Sequence, residues 1–458
     1  MLFYARLIIL TIVLVSIIIS IFYSKFQIII GIALGLVLIF VICQSVSKFT
    51  PKANIPNKRI AIIGSGPAGI LTCKKLQERG YKNITMYGKF EDCQLETMNI
   101  DGVIVDMQAC FLHAGYRNSI DKLCDEENFE TVPISTYIVD KNKKTKIKSS
   151  LLNISKVLFF MVKYFYWDKD PEVLSMNAKD FAIKHNFVWQ AELVFLNGQL
   201  YGYPKDITTH SAFSWYSSLN INLLGLLVNG WYKMSEKNIT GTMIVKQGYE
   251  PLFRSIMSHL TFTKIENLVS SVSKTDKGVS LVIDNGDIHH YDSVVIACAP
   301  TLLKSPIDHI LSPIDYTKTR IFFIGYTSKV FNNVGVYYKQ NVLENNEYNK
   351  ITAYRCYGQN SKGLSIYGAL GYVTKDIDPT VLHSRILDQL TFAPMELQIF
   401  WKVVDYNHRW SSSAIKNGKN TLAEDSQGKD NVWYATAPFC HWNLDGIYEH
   451  VTNISKRV

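Results

Sequence analysis

One run of six residues has the glycine spacing of a loop that binds a pyrophosphate. It comprises Gly64, Ser65, Gly66, Pro67, Ala68 and Gly69. In such a G-x-G-x-x-G loop the first glycine makes a tight turn, and the second lets backbone N–H groups approach the phosphates. The third lets the next helix pack closely on the preceding strand. Because the helix N-terminus adds free donors and a favourable dipole, all six residues are predicted to bind a cofactor.

The segments around this loop are those that a dinucleotide-binding fold requires. Residues 59–63 are a short apolar run, typical of a buried parallel strand. Residues 70–79 have the pattern of a helix that the next residue, a glycine, ends, and residues 83–87 indicate a second strand. No acidic residue ends that second strand, where one usually holds a ribose; Glu91 and Asp92 are the first acids that follow.

The composition indicates a folded protein of about two or three domains. Of the 458 residues, 47% are hydrophobic and 19% are charged, which excludes wholesale disorder. The formal charge of +9 is scattered, with no basic stripe between aromatic residues, so the sequence argues against nucleic-acid binding. The eight cysteines form no C-x-x-C pair, and neither a disulfide framework nor a metal site is predicted.

Two apolar stretches near the N-terminus, residues 7–23 and 27–46, predict a membrane anchor. One continuous helix over both would be about 60 Å long, twice the thickness of a bilayer core. The pair is therefore either a helical hairpin or one spanning helix with an interfacial segment. Basic residues on both sides place both ends, and the folded part, on the cytoplasmic side. A cleaved signal peptide over residues 7–23 is the alternative, but no A-x-A-like site follows it.

Separated blocks of sequence resemble the flavin-containing amine oxidase superfamily from about Arg59 to the end of the chain. The blocks are residues 60–69, residues 95–106 with a T-x-x-x-D-G-x-x-x-D pattern, residues 246–252 around Gly248-Tyr249, residues 265–300 with Val269 and Val272, and residues 427–451. The resemblance implies an α/β fold: a Rossmann-type FAD-binding domain interleaved with an α+β substrate domain, after an N-terminal transmembrane hairpin or helix.

The same resemblance implies the domain boundaries. The ranges are a membrane anchor at 1–50, a linker at 51–58, an FAD-binding domain at 59–130, 241–300 and 411–458, a helical lid or substrate region at 131–240, and a substrate sheet with helices at 301–410. Within the lid region, helices are predicted over 175–185 and 187–200. Residues 151–167 are strongly apolar, and either a buried helix or one at the membrane interface fits them.

The resemblance also implies site residues and noncovalent FAD. Val269 and a C-terminal helix start at Trp442, Asn443 and Leu444 are expected to contact the cofactor. No Ser-His-Asp arrangement, carboxylate pair or H-E-x-x-H motif is present, and a flavin carries the hydride chemistry itself. The catalytic candidates are Lys375, Tyr434, His441 and Trp442.

Several residues depart from the family pattern beside the expected cofactor. Asp92 and Cys93 replace a double glycine, Gln94 replaces a basic residue, and Gln108 replaces the glycine of a D-x-G. Side chains in place of these glycines would keep the backbone farther from FAD. The function expected is a membrane-anchored FAD-dependent oxidoreductase that takes a hydride from a C–N or C–C bond. The alternatives are a flavin-dependent isomerase or mutase, a scaffold that has lost its flavin, and an NAD(P)-dependent dehydrogenase.

Overall fold

The computed structural model describes residues 57–91, 95–107, 112–113, 120–140, 143–146, 170–185, 208, 210, 242–299, 303, 315–339, 348–374, 376–436, 439 and 444–458. The chain divides into a unit of residues 1–54 and a unit of residues 55–458, and every described residue belongs to the second. The predicted anchor, the apolar run 151–167 and the predicted helix 187–200 lie outside the described residues. Within the described residues, no helix has the length and apolar character needed to cross a bilayer.

The strands and helices of the described residues are numbered in chain order. The strands are β1 (Arg59–Ile63), β2 (Asn83–Tyr87), β3 (Thr97–Ile100), β4 (Val103–Asp106), β5 (Leu112–His113), β6 (Thr131–Asp140), β7 (Lys143–Lys146), β8 (Thr242–Val245), β9 (Thr263–Ile265), β10 (Val269–Thr275), β11 (Gly278–Ile283), β12 (Ile288–Tyr291), β13 (Ser293–Ile296), β14 (Tyr316–Ser328), β15 (Gly335–Lys339), β16 (Ala353–Gln359), β17 (Ser365–Tyr372), β18 (Leu397–Trp410) and β19 (Val432–Tyr434). The helices are α1 (Pro67–Glu78), α2 (Ile120–Glu126), α3 (Pro171–Ser175), α4 (Ala178–Lys184), α5 (Tyr249–Ser258), α6 (Pro379–Leu387), α7 (Ser412–Lys416), α8 (Lys419–Asp425) and α9 (Leu444–Ser455).

A parallel sheet in the order β19-β13-β1-β2-β9 carries the glycine loop. The apolar run of β1 lies at its centre, with Ile60, Ala61, Ile62 and Ile63 buried on both faces. The strands predicted at 59–63 and 83–87 are confirmed, and so is the α/β class. The helix predicted from residue 70 begins at Pro67 instead, because proline is favourable in the first helical turn.

A second, mostly antiparallel sheet follows the order β18-β14-β17-β16-β15-β6-β8-β5, with β7 paired to β6. Its strands come from stretches that alternate along the chain with those of the parallel sheet. Helix α6 covers one face, where Leu382 and Ile386 share a hydrophobic cluster with Phe322 and Ile324. A three-stranded sheet, β10-β11-β12, completes the core that Val279 and Leu281 share with β1 and β13.

The hairpin β3–β4 packs on the large sheet because two glycines leave room for aromatic rings. A Cβ at Gly325 would lie 2.0 Å from a ring carbon of Phe400, and one at Gly368 would lie 3.1 Å from the ring of Tyr357. Both rings join the cluster in which Val105 of the hairpin meets the sheet. Small residues on the sheet thus set the distance between the hairpin and the sheet.

Two predictions of secondary structure need correction, and one strand was missed. The helix predicted over 175–185 is α4 and begins only at Ala178, because the Asn177 side chain accepts hydrogen bonds from Lys179 N and Asp180 N and starts the helix there, while Ser175 ends the preceding helix α3. The region 131–240, predicted as helical, begins with the strands β6 and β7. Strand β16 was not predicted, although its run Ala-Tyr-Arg-Cys-Tyr ahead of Gly358 suits a buried strand.

Candidate functional site

The glycine loop is a tight backbone cradle at the carboxyl end of β1. Gly64 has φ +120°, and a Cβ there would lie 2.7 Å from Ala297 O. A Cβ at Gly69 would lie 1.9 Å from Gly64 O. The loop therefore packs backbone against backbone at both positions, as the first and third glycines of such a motif require.

The N-terminus of α1 opens into this cradle without a side-chain cap. Gly66 is the N-cap residue, no side chain bonds to the first turn, and that turn carries no acid. The first helical N–H groups are thus left for an external acceptor, which an anionic pyrophosphate satisfies. The predicted residues Gly64, Ser65, Gly66, Pro67, Ala68 and Gly69 are all brought together here and fit such a group.

The carboxyl end of β2 is closed by the loop itself. Ser65 Oγ donates a hydrogen bond of 2.6 Å to Lys89 O, and a Cβ at Gly88 would lie 2.6 Å from Ser65 Oγ. Glu91 is exposed, and its carbonyl oxygen accepts a hydrogen bond from Arg254. Asp92 lies outside the described residues. The Ser65 side chain thus occupies the space that a side chain at position 88, directly after β2, would fill.

Tyr87, the last residue of β2, is buried in a hydrogen-bonded trio. Its hydroxyl lies 2.6 Å from His289 Nδ1 and 2.7 Å from the hydroxyl of Tyr291. Burial and the hydrogen bond with Tyr291 raise the pKa of Tyr87, so its phenol stays protonated. The trio therefore ties the strand that ends beside the loop to the three-stranded sheet.

We expect the Tyr87→Phe variant to lower the free energy of unfolding by about 1–2 kcal/mol, because the buried Tyr291 and the partly buried His289 each lose a hydrogen bond. The measurement is urea unfolding followed by circular dichroism. His290→Gln is the matched control, since His290 is exposed on the same strand as His289 and its loss should change stability by less than about 0.5 kcal/mol. Equal losses in the two variants would contradict a structural role for the trio.

A capping box divided between two distant segments joins the hairpin to α5. Asp106 Oδ1 accepts a hydrogen bond of 3.1 Å from Tyr249 N, and Thr97 Oγ1 accepts one of 3.1 Å from Glu250 N. Glu250 Oε2 in turn accepts 2.9 Å from Thr97 N. Gly248 allows this contact, because its φ is +95° and a Cβ there would lie 2.3 Å from Thr97 Cγ2. The hairpin thus supplies the cap that Gly248 lacks.

Asp106 also connects this box to the large sheet. Its carboxylate accepts a hydrogen bond from Thr97 Oγ1, and its carbonyl oxygen accepts from Arg355 Nη1 at 3.2 Å and from the Tyr357 hydroxyl at 3.0 Å. The guanidinium of Arg355 lies 4.2 Å from the centre of the Tyr357 ring. Burial raises the pKa of Asp106, while the charge of Arg355 and the hydrogen bonds oppose that rise.

The C-terminal residues lie at the carboxyl ends of the parallel strands, as the glycine loop does. Tyr434 ends β19, is buried, and stacks on Phe439 with 4.7 Å between the ring centres. Its carbonyl oxygen accepts a 2.8 Å hydrogen bond from His450 Nε2 on α9. Burial lowers the pKa of His450, and the neutral ring is a sufficient donor. Leu444 begins α9, and Val269 begins β10 in the same hydrophobic cluster as Ile63.

The remaining predicted residues are not tested by this geometry. Lys375, His441, Trp442 and Asn443 lie outside the described residues, as do Cys93, Gln94 and Gln108. Sequence reasoning missed Arg355, Tyr357 and the trio of Tyr87, His289 and Tyr291. The aromatic run of β16 was a usable signal for the first two. The sequence holds no such signal for the trio, since Tyr87 is about 200 residues away from His289 and Tyr291.

Family comparison decides the class of this site. The model of the flavin containing amine oxidoreductases matches residues 197–448, more than half of the chain. The chain belongs to this family. It is accordingly an FAD-dependent oxidoreductase with a small-molecule substrate, which confirms the predicted family, enzyme class and cofactor. No curated protein matches the sequence.

Solved structures share the fold of this amine oxidoreductase at low sequence identity. A CLA-producing fatty acid isomerase from P. acnes is 16% identical, with a TM-score of 0.71 over 88% of this chain and 99% of its own. Cyclohexylamine oxidase from Brevibacterium oxydans IH-35A is 12% identical, with a TM-score of 0.61 over 88% and 99%. A reduced UDP-galactopyranose mutase is 11% identical, with a TM-score of 0.58 over 88% and 95%.

Proposed function

We propose that the protein is a membrane-anchored oxidoreductase that uses FAD to remove a hydride from a C–N or C–C bond of a lipophilic molecule. The observation that carries the proposal is the uncapped start of α1 beside Gly64 and Gly69, in a chain of the flavin containing family. FAD, when bound, would accept a hydride from a C–H bond while the adjacent C–N or C–C bond becomes a double bond with loss of a proton, and oxygen or another acceptor would take the two electrons afterwards.

In this proposal the protein's own residues bind the cofactor and fix the elements around it. The first N–H groups of α1 hold the pyrophosphate, and Ser65 keeps the loop attached to the end of β2. The divided capping box of Thr97, Asp106 and Glu250 keeps the hairpin β3–β4 in place between α5 and the large sheet. Fixed elements of this kind let the protein hold substrate and cofactor in position, while the cofactor carries the chemical reaction.

Two features support a lipophilic substrate. The apolar stretches 7–23 and 27–46 would hold the protein at a membrane with its folded part on the cytoplasmic side. The isomerase from P. acnes, which superposes with a TM-score of 0.71, acts on a fatty acid. That structure and the UDP-galactopyranose mutase also favour a second candidate function, a flavin-dependent isomerase without net oxidation.

The visible absorption spectrum of the full-length protein in detergent tests the proposal. We expect flavin bands that remain after desalting and that bleach when a long-chain amine or fatty acid is added without oxygen. Conversion of the same compound without bleaching would favour the isomerase. A protein that stays colourless after addition of FAD, with an intact circular dichroism spectrum, would contradict both functions and favour the scaffold.

A further inference from the structure

The turn between β14 and β15 exposes apolar side chains at one end of the large sheet. Phe331 is 63% exposed, and Val330 and Val334 beside it are each more than a third exposed. Leu397, at 65%, begins β18 and pairs with Thr327 near the end of β14. These four residues, Val330, Phe331, Val334 and Leu397, are called the apolar turn patch.

The backbone of this turn is fixed from inside the protein. The carbonyl oxygen of Val330 accepts a hydrogen bond of 3.0 Å from the Tyr367 hydroxyl, and that of Asn333 accepts one of 2.6 Å from the Tyr337 hydroxyl. Cys356 Sγ lies 3.3 Å from Asn332 O. Because these three carbonyl groups have internal partners, they can leave water without losing hydrogen bonds.

Two lysines at this end of the sheet are more exposed than the acids with which they pair. Lys329 lies 2.8 Å from Glu396, with 75% of its side chain exposed against 37% for the acid. Lys362, in the turn between β16 and β17, lies 3.0 Å from Asp101, with exposures of 71% and 40%. Both ammonium groups are therefore accessible to an anionic headgroup, and a lysine can reach one while its stem covers apolar surface.

We infer that the apolar turn patch contacts an anionic bilayer, with its four side chains in the interfacial region and Lys329 and Lys362 at the lipid headgroups. Three observations favour a bilayer over a protein partner: the exposed Phe331, the three internally bonded carbonyl groups of the turn and the exposed lysines. The contact belongs to the folded domain, and it does not depend on the apolar stretches near the N-terminus or on the proposed reaction.

The test follows one position of the full-length protein in vesicles of phosphatidylcholine with about a third phosphatidylserine, an anionic surface. Phe331→Cys carries an environment-sensitive fluorophore, and Ile288→Cys, also exposed and apolar but on the three-stranded sheet, is the matched control. The unsubstituted protein, labelled in parallel, gives the background from native cysteines. We expect a blue shift at position 331, with more than half of the emission quenched by lipids that carry a nitroxide near the headgroup, and neither change at position 288.

The outcomes of this experiment distinguish a bilayer from a second copy of the chain as the partner of the apolar turn patch. An unchanged spectrum at position 331 on vesicle-bound protein would overturn the inference. A blue shift without lipid that grows with protein concentration would also overturn it, because a second copy of the chain would then cover the patch. The double variant Lys329→Gln, Lys362→Gln should remove the dependence on phosphatidylserine, and an unchanged dependence would overturn the role of the lysines at the headgroups.

Discussion

The Gly66→Val variant is expected to fold normally and to bind FAD at least about a hundredfold more weakly, a change of about 2.8 kcal/mol. Gly66 has φ −77° and ψ −176°, a backbone conformation that valine also adopts, so the substitution does not strain the chain. Its side chain would instead stand where the N-terminal N–H groups of α1 meet the pyrophosphate. Each hydrogen bond to a charged group contributes about 1.5–3 kcal/mol, and losing two accounts for the effect.

The measurement is the flavin content of the purified variant, followed by titration of the apoprotein with FAD, whose fluorescence changes on binding. Gly69→Ala is the contrasting variant, because a Cβ there would lie 1.9 Å from Gly64 O. That change should lower stability even without cofactor. Wild-type flavin content in the Gly66→Val protein would show that the pyrophosphate does not lie at this loop.

The second large effect is expected at Asp106. The Asp106→Ala variant should lose about 3 kcal/mol of unfolding free energy, since Thr97 and the N-terminus of α5 would lose their buried acceptor. Asp106→Asn keeps an oxygen that accepts both hydrogen bonds, and its loss should be about 1 kcal/mol or less. Urea unfolding of the apoproteins gives both values. Asp287→Ala, at an exposed turn, is the control for removing a carboxylate.

The pH dependence of this effect has a definite sign. Because burial raises the pKa of Asp106 above its ordinary 3.8, the folded state favours the protonated acid. The contribution of this group to stability is then greatest below pH 3.8 and falls as the pH rises toward the folded-state pKa. The difference in stability between the wild type and Asp106→Asn should therefore shrink as the pH rises through that range. A growing difference would mean that Arg355 and the hydrogen bonds outweigh burial.

The sequence predicted the cofactor part of the fold well, because local signals coincide there. The apolar run of β1, the glycine spacing of residues 64–69 and the second strand at 83–87 each follow from short-range constraints. The break at Asn177 was missed because a capping side chain within a helical pattern gives little signal. Strand β16 was missed because a run that is buried on both faces shows no alternation.

The interactions that hold the site were beyond sequence reasoning for a different reason. Asp106, Tyr249 and Arg355 meet only in the folded chain, and each is an ordinary residue in its own segment. The T-x-x-x-D-G-x-x-x-D pattern drew attention to Asp106, but not to its partners. Long-range hydrogen bonds of this kind depend on register and packing, which a single sequence does not specify.

The parallel sheet has a consequence for the order in which the chain is made. Strand β13 pairs on one side with β1 and on the other with β19, and residues 297–431 are synthesised between the two. At ordinary rates of translation, the edge of β13 stays open for on the order of ten seconds after it leaves the ribosome. An open apolar edge is a template for wrong pairing during that interval. The yield of active enzyme in a cell should therefore depend on chaperones that shield this edge until the last strand arrives.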